Sequence, residues 1–370
     1  MVFQEVYNVQ HGLIWGLLIT AFPFFTGLSA GSFTLSTLAY VFGKKEYKVI
    51  SKNAVLMAIV LLLMANMTLF ADTTQPTRAY YTFLYPNIAS MFSWATFVIS
   101  AYLLCSIIYA YFIFTGNDKY AKLMGIICIP VALGVHADTG FVFGLNKGMV
   151  LWHTALMPVL FLVSALTSGI ALLIVVVTIK EKYFPEKKKI DPEIVYSIGN
   201  LLVFFLVLEF FLDIVDITTM LYSAAEEYEA IMLWLNGPLS FSFLWIQIFL
   251  GGIVPLLLLS HPKTGRTYLG QGLAGALVVI GTFAMRFNVI VGGQMIPKSE
   301  AGLVPYTNEI GYIGYSLFEE IMLLTGIIIF GTITYILALK YTPKIVAMID
   351  GIIGQSVVHR GTEVPLELEE

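Results

Sequence analysis

The chain is predicted to be all-α, a polytopic bundle of about nine transmembrane helices with its N-terminus outside and its C-terminus inside. Of its 370 residues, 58% are hydrophobic and 12% charged, with a mean hydropathy of +0.85. That composition lies far outside the range of a soluble domain. Apolar windows of roughly 20 residues, the length that matches a bilayer core, recur about nine times. Basic residues gather in alternate loops.

Taken in order, spans 1 to 9 fall near 12 to 41, 53 to 71, 88 to 114, 121 to 144, 150 to 178, 194 to 222, 238 to 260, 267 to 291 and 314 to 339. The first apolar run is far longer than the core of a cleavable signal and continues through Tyr40, so it is expected to stay as a helix. Lys44, Lys45, Lys48 and Lys52 follow span 1, Lys119 and Lys122 follow span 3, the run from Lys180 to Lys189 follows span 5, and Lys263 and Arg266 follow span 7. The other loops hold Arg78, Lys147 and Lys298, with the acidic Glu226, Glu227 and Glu229. By the positive-inside rule the lysine-rich loops are cytoplasmic. The net charge of -4 adds little to that distribution.

There is no internal repeat, low-complexity tract or linker dividing soluble domains. Residues 1–343 are expected to form one transmembrane domain, and 344–370 a cytoplasmic amphipathic segment followed by an acidic tail. From Lys344 to His359, Ile345, Val346, Ile349, Ile352 and Ile353 fall on one helical face in a stretch too short to span, which suits the inner membrane surface. The segments 72–87 and 292–313 are rich in Tyr, Pro, Asn and Gly, and predict a structured outer surface; Tyr80, Tyr81, Tyr85 and Tyr306 also fit an ordinary interfacial aromatic belt. Cys105 and Cys128 lie inside spans, and no cysteine motif offers an iron-sulfur or zinc site. Any metal cluster would then belong to a partner.

Few ionisable side chains fall within the spans. His136 and Asp138 close the apolar run Leu123 to Val135, and Glu209, Asp213, Asp216 and Arg286 complete the short set. Such groups are costly in a bilayer and point to function. In LEFFLDIVDI, Glu209, Asp213 and Asp216 stand at i, i+4 and i+7, on one helical face. They cannot all be ionised in lipid, so the stripe faces a wet cavity, stays partly protonated, or pairs with Arg286 of span 8. A proton path toward one membrane face and an internal polar lock between helices both fit that pattern. Span 1 carries Gly27, Ser29, Ala30, Gly31 and Ser32, a smooth patch that permits close helix contact or the approach of a flat ligand. Trp152 and His153 open span 5, where Trp is commonly a membrane anchor.

Four segments together resemble the NrfD/PsrC family, the polysulfide reductase type of membrane subunit. They are TGLSAGSF in span 1, FADTTQPTR with its Asp-x-x-x-Pro, HADTGFVFGLNKGMVLW followed by PVLFLVSALTSG, and MRFNVIVGGQMIP with the later Glu309. The last is similar to the longer, HybB/DsrP-type branch, which commonly has ten helices; with nine here, an N-terminal helix is expected to be absent. Where that family places a quinone-contacting Tyr, this chain has Asp138, and the family's first-helix His aligns near Phe22 and not His11.

The resemblance implies a quinone-interacting membrane subunit of a respiratory redox complex. It would exchange electrons between the quinone pool of a prokaryotic cytoplasmic membrane and an extracytoplasmic, ferredoxin-like iron-sulfur partner, and would not be catalytic alone. Further partners of the multihaem cytochrome c, molybdopterin or heterodisulfide-reductase-like kind are implied, with menaquinone the expected bound substrate and no metal or haem of its own. Quinol oxidation releases protons with electrons, so a site needs an acceptor near the ring oxygen. His136, paired with Asp138 or Asp72, suits that task. The expected quinone contacts are His136, Asp138, Asp72 and Trp152, the expected proton path Glu209, Asp213, Asp216 and Arg286, and the expected docking surface 72–87 and 139–150. Of the five His residues only His136 and His153 stand near spans, at the same face, which argues against a haem cytochrome. A proton-coupled ion or solute transporter using the span 6 carboxylates is the alternative, although neither repeats nor matching broken helices are evident.

Overall fold

The computed structural model describes residues 13–183, 190–223, 225–296, 309–310 and 315–361, and side chains except those of 225–226, 309–310 and 352–361. The expectations placed on His11, Lys187 to Lys189, Glu226, Lys298, Tyr306, Glu309, Ile352, Ile353 and the acidic tail concern residues or side chains outside that description.

Among the described residues, nine helices are long and apolar enough to cross a membrane. They are α1 (Leu17–Thr37), α2 (Lys48–Asp72), α3 (Met91–Thr115), α4 (Asp118–Gly144), α5 (Met157–Tyr183), α6 (Pro192–Tyr222), α7 (Phe241–Ser260), α8 (Tyr268–Gln294) and α9 (Leu317–Gly361). A short helix, Ala225–Leu235, joins α6 to α7. Among the described residues the bundle is helical apart from a two-residue strand pair, Glu309–Ile310 with Tyr315–Ser316, just before α9.

Local sequence sets the ends. Asn117 caps α4 by accepting from Tyr120 N, Asp191 caps α6 by accepting from Glu193 N with Pro192 at the first helical position, and Thr267 caps α8 through Gly270 N. Gly116 ends α3 at φ 75°, a left-handed turn suited to glycine. On this end of the bundle Lys48 of α2 pairs with Asp118 of α4.

The windings differ. In α7 the first thirteen residues, Phe241–Ile253, run as a π-helix and only Val254–Ser260 continue as α-helix. The wider turn sits beside α6 and α8, where Gly251 meets Gly281 backbone to backbone. Helix α9 is continuous through Pro343, so no break in the helix marks the boundary drawn at 343 from the sequence.

The core lies among α1, α2, α5, α6 and α8. Residues such as Leu28, Ile50, Leu61, Ile174, Leu202 and Val278 form its largest apolar cluster. Two smaller clusters flank it, one around Phe161, Trp152 and Ile290, the other around Phe33, Tyr102 and Val135. The small-residue patch of α1 is spent on packing. A side chain at Gly31 would strike the Ala165 carbonyl and Gly169 of α5, and Gly169 meets Gly31 in return. Ser29 donates to the Ala58 carbonyl at 2.6 Å and contacts the Tyr102 hydroxyl at 3.0 Å.

Outside the spans, 73–90 folds as two short turns, Pro76–Arg78 and Tyr81–Leu84, with Tyr80, Tyr81 and Tyr85 exposed and their rings in contact. Cys105 and Cys128 are both free thiols.

Candidate functional site

The site is built around Arg286, which α8 presents to the middle of the bundle with no solvent exposure. Its Nη2 lies 3.0 Å from Nε2 of His136 and donates to the Phe161 carbonyl at 3.3 Å. Nη1 meets the Met285 sulfur at 3.4 Å, and the guanidinium carbon stands 3.9 Å from the centre of the Phe161 ring. A buried guanidinium is tolerated in lipid only with such a set of acceptors and a π face.

His136 lies in α4, roughly 12 Å inside the end of that helix at Gly144 at 1.5 Å per residue. It is fully enclosed. Gly27 of α1 makes room for it, because a Cβ there would stand 2.9 Å from the imidazole Cε1. The Phe161 ring centre is 5.9 Å away. A line of rings then leads from Phe161 to Phe143 (5.6 Å), from Phe143 to Trp152 (5.1 Å), and from Trp152 to Trp15 (5.6 Å, stacked) near the start of α1.

The expected quinone contacts therefore separate. His136 and Trp152 are joined through Phe161 and Phe143. Trp152 is itself buried, donates to the Val289 carbonyl at 2.6 Å, and is a core residue and not a rim anchor. Asp138 is two residues from His136 and so leaves the helix on another flank; it is buried, with Oδ2 unpartnered. Asp72, at the end of α2, faces Glu320 of α9. The expected pairing of His136 with Asp138 or Asp72 is thus replaced by the contact with Arg286.

The α6 stripe does share one face. Glu209 looks toward Ser164 and Thr167 of α5 and toward Arg286, but its carboxyl and the guanidinium are not within ion-pair distance. Asp213 faces Gln247 of α7, and Gln247 accepts from Asn288 of α8 at 2.9 Å. Asp216 accepts from Thr154 at 3.0 Å, beside the α4–α5 turn. Two spaces meet at Asp213. One is lined by Glu209, Asp213, Gln247, Gly252, Gly281 and Thr282. The other is lined by Asp213, Asp216, Gln247, Trp234, Met285 and Val289. The π-helical stretch of α7 carries Gln247 and Gly252 in the first wall, a setting in which such turns are often functional.

Several residues of this network carry a signal in the sequence beyond the expected set. Gln247 and Asn288 are lone amides in apolar runs. Within MRFNVIVGGQMIP, Arg286 meets His136, Asn288 meets Gln247, Gly293 leaves space for Trp152, and Gln294 accepts from Ile14 N and Trp15 N at 3.0 and 2.9 Å. Glu320 accepts from Leu17 N at 2.9 Å. No group of three or more His, Cys, Asp or Glu suited to a metal ion occurs among the described residues.

The profile of the family described as polysulphide reductase, NrfD, matches residues 5–298. The chain belongs to the NrfD family. Among curated relatives, it is 30% identical over 286 residues, 77% of this chain and 72% of the other, to the Hdr-like menaquinol oxidoreductase integral membrane subunit of Archaeoglobus fulgidus. It is 30% identical over 324 residues to the C subunit of the selenate reductase of Mesobacillus selenatarsenatis, covering 76% and 74% of the two proteins. The C chain of the polysulfide reductase of Wolinella succinogenes is 24% identical over 313 residues, 78% of this protein and 96% of the other. As an NrfD-family protein with nine apolar helices among its described residues, the chain is an integral membrane protein.

Proposed function

We propose that this NrfD-family protein is the quinone-interacting membrane subunit of a respiratory redox complex. It exchanges electrons between a membrane quinone pool, menaquinone by preference, and an iron-sulfur partner docked outside the cytoplasm on 72–87 and 139–150. A multihaem cytochrome c, molybdopterin or heterodisulfide-reductase-like subunit would complete the assembly in the cytoplasmic membrane. The names of the relatives from Archaeoglobus and Mesobacillus support the reading. The observation that carries it is the buried His136–Arg286 pair, with His136 Nδ1 and Arg286 Nε enclosed and lacking partners. Polar atoms left bare in an apolar interior suit a polar ligand atom. When bound, the quinone supplies the two-electron chemistry; the protein holds its ring oxygens, excludes water and accepts protons.

The protons follow the α6 stripe. Glu209, Asp213 and Asp216 lie roughly 20, 14 and 9 Å from the end of α6 at Tyr222, so the stripe climbs from mid-membrane toward the Thr154 end. Continued the other way, the same face holds Leu206 and Leu202, packed in the apolar core with Ile174 and Val278. That arrangement favours release at one face. With lysines at the opposite end, this face is read as the outside, which puts the N-terminus outside and the C-terminus within.

The test uses the intact complex. Extraction should return bound quinone with iron-sulfur partners, and His136→Gln, which keeps an acceptor for Arg286, should lower quinol-dependent electron transfer at least tenfold with assembly unchanged. A complex without quinone, indifferent to head-group analogues, overturns the reading in favour of a transporter using the α6 carboxylates.

A further inference from the structure

The 3.0 Å contact between Arg286 Nη2 and His136 Nε2 constrains the imidazole. A guanidinium has five N–H donors, no acceptor, and stays charged. The contact is therefore a hydrogen bond only when Nε2 presents its lone pair, and a neutral imidazole that accepts at Nε2 carries its proton on Nδ1. Nδ1 is enclosed and without a partner. A doubly protonated ring would set N–H against N–H and expel the guanidinium.

Among the described residues packed around the ring, the one alternative partner is the Phe161 carbonyl. From α1 comes Gly27, and from α5 the Phe161 ring and carbonyl, the carbonyl already accepting from Arg286. From α8 comes Arg286 itself. Glu209 of α6 faces the guanidinium and not the imidazole, and Asp138 leaves α4 on another flank. Arg286 in turn is fixed by Phe161 and Met285, so it is not free to swing away.

We propose that Arg286 is a positioning residue that holds His136 neutral, with Nε2 as acceptor and Nδ1–H as the only free polar atom of the ring. Resting on the quinone reading above, this makes His136 a hydrogen-bond donor to a quinone carbonyl oxygen. It is not the group that takes a quinol proton; that duty passes to a carboxylate. The proton stays on Nδ1 as long as Arg286 is in place.

The deciding measurement is solid-state ¹⁵N NMR on the purified complex carrying ¹⁵N-histidine, with the His136 signals identified as those lost in His136→Gln. The expected spectrum is a neutral ring protonated at Nδ1 and bare at Nε2, unchanged from about pH 5 to 8. In Arg286→Met, where the guanidinium no longer claims Nε2, the single fixed tautomer should be lost and part of the signal should report a ring protonated at Nε2. Arg286→Lys, which keeps a charged donor, should resemble the wild type. A wild-type His136 protonated at Nε2, as a direct bond to the Phe161 carbonyl would require, or already an imidazolium, overturns the proposal. If Arg286→Met does not assemble, the wild-type spectrum across pH still decides. Absence of extractable quinone would instead strike the functional reading and leave these spectra unchanged.

Discussion

Trp152 lies against Gly293, with its indole N–H held by the Val289 carbonyl one turn earlier in α8 at 2.6 Å. The turn between α4 and α5 is thereby pinned to the end of α8, and the ring line from His136 to Trp15 gains a fixed member. A methyl group at residue 293 has no room except by moving the indole. Gly293→Ala should cost about 1–3 kcal/mol, as overpacked interiors do. Thermal unfolding in detergent would measure it, and an unchanged midpoint would show that Trp152 is not held there.

Glu209 separates proton transfer from helix locking. Its carboxyl makes no ion pair with Arg286 within bonding distance, so an amide of the same shape should be carried without large structural loss. Glu209→Gln is expected to lower quinol turnover at least tenfold while the melting temperature stays within a few degrees, where about 1 kcal/mol corresponds to 2–4 °C in larger domains. A large fall in stability with normal turnover would identify a structural lock.

The first turn of α1 is capped from another helix, by Glu320 of α9 at Leu17 N, while Gln294 of α8 accepts from Trp15 N just before the helix. Glu320→Gln keeps an acceptor oxygen and should be mild. Glu320→Ala removes the cap and should cost about 0.5–2 kcal/mol, the usual range for a lost N-terminal acceptor. Comparing the two variants by thermal unfolding checks the role of that oxygen.

Close contact of α1 with α5 depends on Gly31 and Gly169 facing each other. Gly169→Val should separate the helices and prevent assembly of the complex, seen as loss of the intact band on a native gel. Ser32→Ala should be tolerated, since the Ser32 hydroxyl bonds only to Leu28 of its own helix, at 2.6 Å.

Orientation is open to direct labelling in a protein whose Cys105 and Cys128 are replaced. A cysteine introduced at Asn87 should react with an impermeant maleimide in whole cells, and one at Lys263 only after permeabilisation. The reverse pattern would invert the topology.

Span positions are legible in the sequence because bilayer thickness imposes a length and an apolar composition on each helix separately. The α6 stripe is legible for a similar reason, since three carboxyls at i, i+4 and i+7 must share a face whatever surrounds them. His136 and Arg286 both stand out as costly in the membrane, yet their pairing does not, because they are 150 residues apart and meet only where α4 and α8 both pack against α5. The place of Trp152 at the start of a span suggests a rim anchor, whereas Gly293, far along the chain, draws it inward. The π-helical turns of α7 follow from no local propensity in FSFLWIQIFLGGI that we can name.

Helix α9 lies beyond the stretch matched by the family, which ends at 298, and only 11% of its membrane window is covered by the rest of the protein. It is bound to the bundle chiefly along α2 and by the grip of Glu320 on Leu17. Everything that surrounds Arg286 sits on the preceding eight helices. Truncation after residue 298 would therefore strip away a lipid-bathed outrigger and loosen the entrance of α1, while the charged centre of the molecule kept its complete set of neighbours.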